Sequence, residues 1–105
     1  MALTKDFKAT VKARAERDPA FREALLTEAV ELLLSGDVET GKAILRDYIN
    51  ATIGFERLSQ ETGTPPKSLM RMLGPNGNPR AENLLNVIGT LQQAAGLHLE
   101  VAASR

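Results

Sequence analysis

The chain has no cysteine and no tryptophan, and only one histidine, one tyrosine and three phenylalanines in 105 residues. Without cysteine there is no disulfide, no thiolate metal site and no cysteine nucleophile. Aromatic content of 4% leaves the core to Leu, Ile, Val and Ala, which a hydrophobic content of 43% supplies for one small domain. No apolar run approaches the roughly 20 residues of a membrane span. The start, Met1-Ala2-Leu3-Thr4-Lys5-Asp6, lacks the apolar stretch of a signal peptide. A cytoplasmic protein with no membrane partner is therefore expected. A glycine-rich phosphate loop, a nucleophile–base pair and a histidine cluster are all missing, so no enzyme activity, cofactor or metal site is expected. The lone His98 reads as a solvated residue. Glu28 and Glu31 share a helix face, but without a third group they also read as solvated.

An excess of either charge sign is missing too: thirteen bases balance thirteen acids. Their distribution is uneven. Residues 1–18 hold five bases and three acids, residues 19–53 three bases and six acids, and residues 54–105 five bases and four acids. The acidic middle does not suit phosphate. It suits a solvated surface or a basic partner.

What is present is helical patterning. Phe7, Val11 and Ala15 recur at four-residue spacing and predict a helix from Thr4 to Arg17. Asp18-Pro19 is a cap followed by a permitted first-turn proline. It opens a second helix, Pro19 to Ser35, with a stripe of Phe21, Leu25, Ala29 and Leu32. Leu26, Val30, Leu33 and Leu34 widen that stripe, as in a helix buried on more than one side or paired with another chain. Gly36 stops it and Asp37 caps a third helix, Val38 to Thr52, with Ala43, Ile44, Leu45, Tyr48, Ile49 and Ile53 inward. After Gly54 come two short helices, Phe55 to Thr62 and Pro65 or Pro66 to Leu73, around a turn at Gly63. The cluster Gly74-Pro75-Asn76-Gly77-Asn78-Pro79 is a turn. Asn78 is the expected cap, and Pro79 the first residue, of a sixth helix running to Ala95. Its apolar face is read as Leu84, Leu85, Ile88 and Leu91, with Val87 flanking. Leu97-His98-Leu99-Glu100-Val101 alternates with period two and is a short strand candidate that needs a partner, such as its twin in a dimer.

The segment from Leu58 to Leu73 carries the most specific signal. Leu58, Leu69 and Leu73 point inward while Lys67, Ser68 and Arg71 project from the second short helix. That is the layout of a DNA-binding helix-turn-helix. The pattern Leu58-Ser59, Gly63, Ser68-Leu69, Gly74, Asn78-Pro79, Leu84-Leu85 and Leu91 resembles the XRE, or lambda-repressor/Cro-like, family of transcriptional regulators over residues 40–95. The whole chain resembles the addiction-module antidote proteins, HigA-type antitoxins. The resemblance implies an all-α, lambda-repressor-like bundle. It divides the chain into an N-terminal helical extension (residues 1–35), a DNA-binding domain (36–96) and a C-terminal tail (97–105). It implies a homodimer on a near-palindromic double-stranded operator, repression of its own operon, and a small basic RelE/ParE-like toxin as partner. A regulator with no toxin, and an interaction module that has lost base reading, are the alternatives.

Carried over by position, Pro66, Lys67 and Arg71 face base edges and Ser68 reaches a phosphate. Thr64 and the first amides of the recognition helix are phosphate donors, and Asn76, Asn78 and Arg80 touch the backbone. Lys67 and Arg71 lie four apart and share a helix face. Two positions depart from the family. Pro65-Pro66 replaces polar residues and removes amide donors. Phe55 stands where relatives place a phosphate-gripping Gln and is expected to pack. Met72 is expected in the core and Met70 half exposed.

Overall fold

Local chemistry sets the helix ends. α1 (Lys5–Arg17) and α2 (Pro19–Ser35) meet at Asp18. The Asp18 carboxylate accepts the Phe21 amide at 3.2 Å, and Pro19 occupies the first turn, where its missing N–H has no intrahelical partner to lose. Arg22 donates to the Ala15 and Glu16 carbonyls and so satisfies the end of α1, while Arg14 lies 4.6 Å from the centre of the Phe21 ring. Gly36 ends α2, and Asp37 accepts the Thr40 amide to open α3 (Val38–Ala51). α4 (Phe55–Thr62), α5 (Pro66–Met72) and α6 (Ala81–Ala95) follow. The computed structural model describes residues 5–105, with side chains from residue 9, so Thr4 and the Phe7 side chain lie outside the described residues.

All regular structure among the described residues is helical, and none of these helices is long and apolar enough to cross a membrane. α2 packs along α3, α1 rests on both, and α4 contacts α5 and α6. One buried cluster joins Leu26 and Ala29 of α2, Leu45, Tyr48 and Ile49 of α3, Phe55 and Leu58 of α4, Leu69 of α5, Leu73, and Val87, Ile88 and Leu91 of α6. Burying each Leu or Ile side chain contributes about 1.5–3 kcal/mol. The Cα radius of gyration, 13.2 Å, is that of a packed chain of this length.

Several expectations are corrected. α6 begins at Ala81, and its N-cap is Arg80, not Asn78. Residue 80 is still extended (φ −68°, ψ 147°), because the preceding loop is held by its carbonyls from α3, as described below. Leu85 points outward at 64% exposure. The buried stripe is instead Val87, Ile88 and Leu91, with Leu84 partly covered, a spacing of three, one and three residues. Thr52 caps α3 and lies outside it, and Ala43, Ile44 and Ile53 are only half-buried. Residues 97–101 carry no regular structure in the single chain. Leu97 and Leu99 pack against the core, and the Leu99 amide donates to Gln92 Oε1 at 2.8 Å. The segment lies on the bundle through these two leucines, with His98, Glu100 and Val101 exposed.

Burial pushes the Tyr48 phenol above its ordinary value of 10.0; the Arg22 charge and a Thr52 hydrogen bond act the other way, and the Glu23 charge acts with burial. A raised folded-state value means that the neutral phenol's contribution is fully present below pH about 10 and is lost as pH rises beyond it. Thermal melts between pH 9 and 11 are expected to fall more steeply for the wild type than for Tyr48→Phe. Equal slopes would contradict this assignment.

Candidate nucleic-acid interface

α4 and α5 are anchored from one side. Phe55, Leu58, Leu69 and Leu73 are buried, the last three at 0–1% exposure. Phe55 packs in the core, as its apolar ring requires. The turn between the helices needs a left-handed residue, and Gly63 supplies it at φ 77°. Its amide donates to Ser59 O at 2.9 Å.

The opposite face of α5 is open. Lys67 and Arg71 are exposed, and Met70 between them is 48% exposed. Residues 67, 70 and 71 have the three- and four-residue spacing of one helical face. Among the described residues neither cation makes an ion pair or side-chain hydrogen bond, and Arg80 makes none either. Arg14, Lys42 and Arg57, by contrast, are paired with Asp18, Glu39 and Glu61. The free charges of residues 67, 71 and 80 are thus available to an anionic partner. Asn76 and Asn78 are exposed in the loop before α6. Met72 packs against the core.

The start of α5 offers less than expected. Pro65 is the N-cap and makes no side-chain cap bond, and Pro66 is the first helical residue. The Thr64 amide is turned toward Thr62 Oγ1 at 3.3 Å, which removes it as a phosphate donor in this conformation. Thr64, Pro66 and Ser68 are half-buried. Of the eight positions read from the sequence, the structure exposes Lys67, Arg71, Asn76, Asn78 and Arg80 and partly withdraws the other three.

Two residues that sequence reasoning missed hold this surface in place. Lys42 is 2% exposed, and its Nζ donates to Gly74 O at 3.0 Å and Gly77 O at 2.8 Å. The same ammonium meets Glu39 Oε2 at 2.7 Å. One turn on, Arg46 donates to Leu73 O at 2.8 Å. The carbonyls that follow α5 are therefore satisfied from α3, and cations at a helix C-terminus also complement its dipole. A signal was present: Lys42 and Arg46 sit at helical spacing with buried Leu45 and Ile49, so they interrupt an apolar stripe. Gly77 lies against the same helix end, and a Cβ there would overlap the Arg71 carbonyl oxygen and come within 2.5 Å of Met72 O.

A cleft of about 380 Å³ lined by Arg22, Tyr48, Arg57 and Leu91 contains no residue of α5. A helix that reads a groove protrudes and needs no cavity.

No protein-family model, no curated protein and no solved structure matches the chain.

Proposed function

We propose that this chain is a sequence-specific DNA-binding transcriptional regulator of the XRE type, acting as a homodimer. α4 and α5 form its helix-turn-helix, and α5 is the recognition helix. The observation that carries the proposal is the pair of exposed cations Lys67 and Arg71, unpaired among the described residues, on the outer face of a short helix that Leu69 on its inner face and Leu73 at its C-cap lock in the core. Arg71 has the planar fork that pairs with guanine O6 and N7, and Lys67 reaches the same acceptors with a single point charge. Asn76, Asn78 and Arg80 hold the adjacent backbone. Two copies place their recognition helices in successive major grooves about 34–36 Å apart. Fluorescence anisotropy on a duplex from the protein's own upstream region tests this: binding is expected to exceed that on a shuffled duplex and to weaken with salt. Equal, weak binding on both would contradict it.

The further proposal is that the protein is the antitoxin of a toxin–antitoxin module and represses its own operon. A strip of Val30, Leu34, Leu99 and Val101 lies between α2 and the tail with Glu31 and Glu100 beside it and no basic residue among the described residues of its lining, which suits a small basic toxin. Leu34 and Val101 are 67% and 84% exposed. Co-purification with the product of a neighbouring reading frame of basic pI tests this part. If that product does not bind, the regulator stands without a toxin. A second reading, an interaction module, is favoured by Pro65-Pro66 and the exposed Met70; salt-insensitive, weak DNA binding would select it.

A further inference from the structure

We propose that Lys42 and Arg46 set the sequence discrimination of α5 without touching DNA, by fixing its placement relative to the loop that follows. The role depends on α5 being the recognition helix. At seven residues, with no side-chain bond at its N-cap, α5 has almost no stability of its own. Two things locate it: the burial of Leu69 and Leu73, and the bonds from α3 to the carbonyls of residues 73, 74 and 77. An ammonium has three protons to donate. Those of Lys42 have three acceptors, Gly74 O, Gly77 O and Glu39 Oε2. Gly74 lies just beyond α5, and Gly77 stands one residue before Asn78 and three before Arg80. One buried charge therefore ties the base-reading face to the backbone-contacting loop.

Phosphate contacts tolerate small displacements because they depend on charge near a strand. Bidentate base contacts do not, because donors must meet two fixed acceptors. Loss of the clamp leaves Lys67, Arg71 and Arg80 on the surface, so non-specific affinity and its salt dependence are kept while discrimination falls. Lys42 itself is buried and has no access to phosphate. Glu39, though exposed, supplies the third acceptor and the counter-charge of this buried ammonium.

The test uses the full chain, a duplex selected by the wild type from a random pool, and a shuffled duplex, with anisotropy read at several salt concentrations. Lys42→Met is expected to lower the ratio of specific to shuffled affinity by roughly tenfold or more, the size of one lost base contact. The log K against log salt slope on the shuffled duplex is expected to stay unchanged. Arg46→Gln, which removes one carbonyl bond where Lys42→Met removes two, is expected to lower the ratio less. Leu26→Ala, a core truncation in α2, serves as the control for stability loss alone. An unchanged ratio in Lys42→Met would overturn the proposal, and so would an equal loss in a Leu26→Ala protein of matched melting temperature. Should Lys42→Met fail to fold, Arg46→Gln decides alone, since its side chain is half-exposed; an unchanged ratio there overturns the clamp. A wild type that prefers no duplex in the pool overturns the DNA-binding proposal and the clamp with it, whereas discrimination kept by both clamp variants overturns the clamp only.

Discussion

The double variant Lys67→Ala/Arg71→Ala is expected to lose about 2–6 kcal/mol of specific binding, which is roughly 30-fold in affinity at the least. Each side chain is assigned one base contact, and each such contact contributes about 1–3 kcal/mol of discrimination. Binding to a shuffled duplex is expected to weaken far less, through the loss of charge alone, and the salt slope to flatten by about one unit for each cation that also meets a phosphate. The fold should not respond. Both residues are exposed and free of side-chain partners among the described residues, and surface changes of that kind stay within about 0.5 kcal/mol. Anisotropy paired with thermal melts separates the two effects. A double variant that binds the selected duplex as the wild type does would remove α5 from the interface.

Two glycine substitutions are expected to move stability in opposite directions. A Cβ at residue 77 would overlap the Arg71 carbonyl oxygen and crowd that of Met72. Those atoms belong to backbone that is fixed through Leu73 and Gly77 by Arg46 and Lys42, so the clash cannot be relieved by turning a side chain. Gly77→Ala is therefore expected to destabilise by about 3 kcal/mol or more, the upper range for overpacking, and to lower the melting temperature by roughly 10–20 °C. Gly89 sits inside α6 with nothing within 4 Å of an added Cβ. Gly89→Ala is expected to stabilise by about 0.4–1 kcal/mol, because alanine restricts the unfolded chain and favours helix. Thermal denaturation of both proteins checks the pair. A Gly77→Ala protein as stable as the wild type would mean that the loop is not held against α5.

The helix boundaries that could be read from sequence are those set by neighbouring residues. Asp18-Pro19, Gly36-Asp37 and Gly63 each decide a helix end through bonds spanning three to five residues, and the structure places the ends there. The inward set Leu58, Leu69 and Leu73 was legible for the same reason, since helical spacing alone selects it. Asn78-Pro79 has equally good cap chemistry, yet α6 starts later. The competing influence is Lys42, which bonds to Gly74 and Gly77 across 32 and 35 residues of chain, a separation that no local pattern encodes. Leu85 was misplaced because one helix offered more apolar residues than its buried stripe could hold. The tail shows the converse. Its alternation separates the partly buried Leu97 and Leu99 from the exposed His98 and Glu100 but fails at Val101, which is 84% exposed and lies beyond the core contact. At the candidate interface, the exposed cations were legible from helical spacing. The engagement of the Thr64 amide was not, because it depends on where the Thr62 hydroxyl lies.

The proposed reading of a major-groove guanine by Arg71 is tested most directly by a cycle between protein and base. Affinities are measured by anisotropy for wild type and Arg71→Ala, each on the selected duplex and on duplexes in which single guanines are replaced by 7-deazaguanine, which lacks the N7 acceptor. At one guanine the two losses are expected to be strongly non-additive, with a coupling of about 1 kcal/mol or more, because either change alone breaks the same contact. Losses that add at every guanine would contradict base reading by this residue.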